Sequence, residues 1–107
     1  MTAWMFLAAA IVLEVTATFL LKLSDGFRLW QWGALSIALY SACFWMLAPA
    51  MKVLPLGVVY ALWAGVGIVA ASALGAVVFS EVLGPLQYGF ILMILIGAVG
   101  LRLTTGG

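Results

Sequence analysis

Glu14 is a carboxylate within a run, Ala3 to Leu21, that otherwise carries no charge. In a helix rising 1.5 Å per residue it lies about 16 Å from the start of that run, near the middle of a hydrocarbon core about 30 Å thick. A lone carboxylate at that depth is costly unless it takes a proton or meets a cation, so its presence points to function. Leu7, Ala10, Ala17, Thr18 and Leu21 stand three, four or seven positions away and share its helical face. Most are small and leave room beside the carboxylate. The Thr18 hydroxyl has two uses, a hydrogen bond to that carboxylate or a bond back to its own helix. Tyr60 and Trp63, three residues apart with Gly67 completing the stripe, and Tyr40 with Phe44, four apart, offer ring faces. Such stripes serve packing or anchoring, or they hold a desolvated organic cation beside an anion. The Tyr40 phenol needs a partner at that depth, and the carboxylate is the one expected.

The rest of the inventory narrows the chemistry. The 107 residues include no histidine and a single cysteine, Cys43, so no metal site, internal disulfide or histidine relay is expected. No cofactor is implied, and no nucleophile and base pair suggests an enzyme. A net charge of +1 without a basic run argues against nucleic acid. Any proton chemistry is left to Glu14 alone.

The elements that must position these residues are membrane helices. With 68% hydrophobic and 7% charged residues, and a mean hydropathy of +1.36, the chain has more apolar surface than one soluble core hides. Apolar windows over about 3–21, 30–51, 57–79 and 85–103 alternate with short polar breaks that hold every charge but Glu14. The windows lack the alternation of barrel strands, so residues 1–107 are expected to form a single four-helix transmembrane domain of the all-α class. The first window has no basic n-region and contains a glutamate, which makes it a retained span rather than a cleaved signal.

Four spans put Lys52 and Arg102 on one side and Lys22 and Arg28 on the other, so basic residues set no preferred orientation. Insertion both ways, with head-to-tail pairing, would explain the balance and supply the inverted repeat on which alternating access is built. Gly65 and Gly67 lower helix propensity in the third span and are the expected hinge, unless they only permit close packing. Gly89, Met93 and Gly97 form a small-residue ridge on the fourth span and are assigned to a dimer interface.

The run Ala10-Ile11-Val12-Leu13-Glu14-Val15-Thr16-Ala17-Thr18-Phe19-Leu20-Leu21-Lys22, the turn Ser24-Asp25-Gly26-Phe27 and the segment Leu54 to Gly67 together resemble the small multidrug resistance family. That resemblance implies an antiparallel homodimer in the inner membrane of a bacterium, exporting cations in exchange for protons. Glu14 of both subunits would be shared by proton and substrate, with Tyr40, Tyr60 and Trp63 at binding positions and Thr18 as a lining hydroxyl. Tyr40 and the Gly65-Val66-Gly67 pattern look like the quaternary-ammonium branch. Ala17 and Cys43 stand where guanidinium exporters carry tryptophan and serine, while the end of the fourth span looks closer to that guanidinium branch. The first span through Arg28 is similar to one subunit of the polyamine-exporting heterodimers. Export of lipophilic and quaternary ammonium cations is the leading expectation, guanidinium or polyamine export the alternative, and a channel or accessory subunit the reading from a different class.

Overall fold

The computed structural model describes residues 2–105 and contains four helices: α1 (Thr2–Leu23), α2 (Trp30–Val53), α3 (Leu56–Val78) and α4 (Pro85–Thr104). All four are long and apolar enough to cross a membrane. Each helix meets the next through a short connection, so successive helices alternate in direction and α1 runs parallel to α3.

Local chemistry sets the helix ends. After α1 the chain turns through Asp25, Gly26 and Phe27, all in the left-handed region at φ 52°, 66° and 67°. Gly26 is at ease there; Phe27 is not. Buried Ser24 holds the turn: its hydroxyl donates to the Leu21 carbonyl at 2.6 Å and accepts from the Phe27 N–H at 3.1 Å. Leu54 is extended, as a residue before proline must be, and α2 stops there. Pro85 opens α4 where its missing N–H costs nothing, and Gln87 takes the Gly84 N–H at 2.6 Å.

The seam between α1 and α2 is built from small residues at heptad spacing. Ala3, Ala10, Ala17 and Ser24 are all buried on one side, and Ser36, Cys43 and Ala50 on the other. Close approach lets α2 donate into the α1 backbone, from Ser36 to the Ala17 carbonyl at 2.7 Å and from the Cys43 thiol to the Ala10 carbonyl at 3.2 Å. Helix α3 packs on α1, and α4 packs on α3. The chain is flat, 42 × 35 × 16 Å, and α4 lies at its margin with Ala98 as its only buried residue among those described.

The two ends of the bundle differ in charge. At one end Lys22 pairs with Glu81 at 2.9 Å and Arg28 with Asp25 at 2.8 Å. At the other, Lys52 and Arg102 meet no acidic side chain among the described residues, and the Arg102 guanidinium lies 4.2 Å from the centre of the Trp4 ring.

Candidate functional site

Glu14 lies half-buried in the middle of α1, at the seam with α3. It fits there because position 67 is glycine: a Cβ on Gly67 would stand 2.7 Å from Glu14 Oε2. That oxygen is buried and has no hydrogen-bond partner among the described residues. The Trp63 indole N–H, one turn earlier on α3, is also buried and unpartnered. An acceptor and a donor left open in one short stretch of seam are unusual in a folded chain, where buried polar groups pair.

One turn from Glu14, toward the Lys22 end, Thr18 and Tyr40 form a hydroxyl pair. Thr18 spends its single hydrogen on the Glu14 carbonyl at 2.9 Å, so the Tyr40 phenol is the donor between them. The expected phenol-to-carboxylate contact is therefore replaced: Tyr40 reaches Thr18, and Thr18 bonds to the Glu14 backbone rather than its side chain. Through Thr18 the phenol is linked to the Glu14 carbonyl, not to its carboxylate.

In the opposite direction along the axis lies an aromatic group. Trp63 meets Tyr60 edge-on with centroids 6.0 Å apart, and Phe44 of α2 at 6.3 Å. With Leu47 and Val59 these rings line a cavity of about 290 Å³ between α2 and α3. Tyr60 remains 63% exposed, so much of its ring faces away from its own chain. The site thus has a hydroxyl half and an aromatic half, with Glu14 between them.

The remaining sequence candidates fall elsewhere. Gly65 sits against α4, where a Cβ would meet Ala98 at 3.2 Å and Ile94 at 3.4 Å, and α3 runs through Gly65 and Gly67 without a break. Gly89, Met93 and Gly97 lie away from Glu14, where added Cβ atoms at both glycines would meet nothing and Met93 is 64% exposed. Ala17 and Cys43, weighed above as positions that distinguish substrates, belong to the α1–α2 seam and are fully buried.

Sequence reasoning missed Glu81. It follows α3 in the third break and pairs with Lys22 across a cavity of about 160 Å³ that reaches Thr18. A signal was present, since breaks one and three share a side and carry opposite charges at Lys22 and Glu81.

Residues 2–96 match the description Small Multidrug Resistance protein. The chain belongs to the small multidrug resistance family. Among its relatives, the Spermidine export protein MdtI of Salmonella arizonae is 45% identical over 101 residues, covering 94% of this chain and 91% of its own. The protein of the same name from Citrobacter koseri is 45% identical over 101 residues with the same coverage. Membership and the four spans make the chain a multi-pass transporter of cationic substrates in the bacterial inner membrane. The relatives are transporters, in keeping with the lack of enzyme chemistry read from the sequence.

Proposed function

We propose that this chain is one subunit of a proton-coupled polyamine exporter in which Glu14 is taken alternately by a substrate ammonium and by a proton. The observation that carries this reading is the buried, unpartnered Glu14 oxygen beside Gly67, the one carboxylate at mid-membrane depth in a chain 45% identical to spermidine exporters. Alkylammonium groups stay charged near neutral pH, as lysine does, and each brings N–H donors to a carboxylate. A cation favours the ionised carboxylate and displaces its proton; protonation then releases the cation. If only occupied or protonated states switch sides, the inward proton gradient drives export.

A pairing of two chains head to tail would bring a second Glu14-type carboxylate to the open side of the site, and the partner is a second copy or a paralogous subunit. Export of quaternary ammonium stands second. It is favoured by the apolar cavity under Phe44, Tyr60 and Trp63, because a cation without N–H donors relies on ring faces.

Liposomes containing the purified chain, alone and with a coexpressed paralogue, test this. Under an imposed pH gradient, spermidine should move against the proton flow, and Glu14→Gln should abolish that movement while leaving the protein folded. Exchange of quaternary ammonium or guanidinium with no response to any polyamine would overturn the reading. Cation flux indifferent to the pH gradient would instead favour a channel.

A further inference from the structure

We propose that Glu81 is a second ammonium subsite, held in the present structure by Lys22, which occupies the place of one charged end of a linear polyammonium substrate. The proposal rests on the polyamine reading and says how that substrate would lie.

Two carboxylates flank the α1–α3 groove. Glu14 Oε2 stands over Gly67, and Glu81 Oε1 stands over Gly75 in the same manner, a side chain pressed against a missing Cβ. Eight residues of α3 separate these glycines, which places the two carboxylates about 12 Å apart along the axis. On the parallel helix Lys22 likewise lies eight residues after Glu14, and its ammonium reaches Glu81 at 2.9 Å. The 160 Å³ cavity beside Glu81 extends toward Glu14 as far as Val15 and Thr18, with Val15, Ala71 and Leu74 as walls for methylenes and the Thr18 hydroxyl for an N–H.

At the outer end an ammonium gains more than one carboxylate. Lys22 Nζ lies 5.7 Å from the centre of the Phe79 ring, so the position combines an anion with an aromatic face. Both members of the ion pair are about half-exposed, which keeps the bond exchangeable with a cation from solution. A linear triamine with three- and four-carbon spacers has nine bonds between its terminal nitrogens, each advancing about 1.25 Å when extended, or roughly 11 Å in all. That length matches the spacing of the carboxylates. A monocation fills only the Glu14 end and leaves Lys22 in place.

The test is a length series. α,ω-Diammonium alkanes with three, five and eight methylenes compete against labelled spermidine for the reconstituted exporter at low ionic strength. The eight-methylene compound should outcompete the three-methylene one by about fivefold, the strength of one partly exposed ion pair. In Glu81→Gln this ratio should fall to near one, and in Lys22→Met, which frees Glu81, it should rise. The opposite signs matter, because both variants break the same ion pair and a purely structural bridge would shift both alike. An unchanged ratio in Glu81→Gln, or parallel shifts in the two variants, overturns the subsite. Failure of the unmodified exporter to bind spermidine overturns the polyamine reading itself, a result visible before any variant is made.

Discussion

A methyl group at position 67 would press on the Glu14 carboxylate at 2.7 Å, a distance that side chains do not sustain. Gly67→Ala should therefore displace Glu14 without unfolding α3, where alanine is the better helix former. Misplacement of a binding group by about 1 Å costs on the order of tenfold to a hundredfold in activity. Proton-coupled uptake assays on Gly67→Ala should show a loss in that range, while Gly57→Ala, whose Cβ would meet nothing, should remain within about twofold of the parent. Equal activity of the two variants would show that the Glu14 seat is not set by Gly67. At this scale the sequence singles out Glu14 and Trp63 as candidates, a charge in an apolar run and a ring at helical spacing from Tyr60, and the structure brings both to one seam. The Thr18–Tyr40 pair was not legible. Helical periodicity places each hydroxyl on a face, but which of two nearby acceptors a phenol reaches depends on the rotation of α2 against α1, set by contacts far along the seam.

The seam of small residues is what fixes that rotation. Ala10 is fully buried, with its carbonyl under the Cys43 thiol, so a larger side chain there must push α2 away. Ala10→Leu should destabilise the chain by about 1–3 kcal/mol, as overpacked cores do, measured by unfolding in mixed detergent micelles. Stability equal to the parent would mean that α2 does not approach α1 as closely as the Cys43 bond requires. Four helices and their ends were readable because hydropathy, Pro55, Gly84-Pro85 and the Ser24 turn are local signals. The pairing of helices was less so. Ala3, Ala10 and Ala17 do repeat at sevens, as do Ser36, Cys43 and Ala50, but small residues line helix contacts and cation sites alike, which is how Ala17 and Cys43 came to be weighed as substrate positions. Gly65 presents the same ambiguity. Its contact with Ala98 and Ile94 gives it a packing task on α4, and any hinge action at that point must slide those side chains.

On the scale of the molecule, the flat chain leaves α4 largely unpacked against its other helices, and Leu86, Phe90, Met93, Ile96 and Leu103 are exposed along it. Gly89 and Gly97 make that face smooth enough for another helix to approach. Gly97→Trp should lower the dimer fraction in detergent at fixed protein concentration while insertion of the single chain continues; an unchanged fraction would remove α4 from the interface. The charged ends of the bundle carry a different consequence. With Lys22 and Arg28 neutralised by Glu81 and Asp25, the fixed side-chain charge is concentrated at the end that holds Lys52 and Arg102. A single chain is therefore a permanent dipole across the bilayer. Each cation at its far rim changes its energy by about 2.3 kcal/mol for every 100 mV of membrane voltage. Two such chains side by side would add their dipoles and lean on the voltage in one direction. Head to tail, the dipoles would cancel, the scaffold would be electrically silent, and the current recorded during turnover would report only the net charge of the substrate and protons that cross.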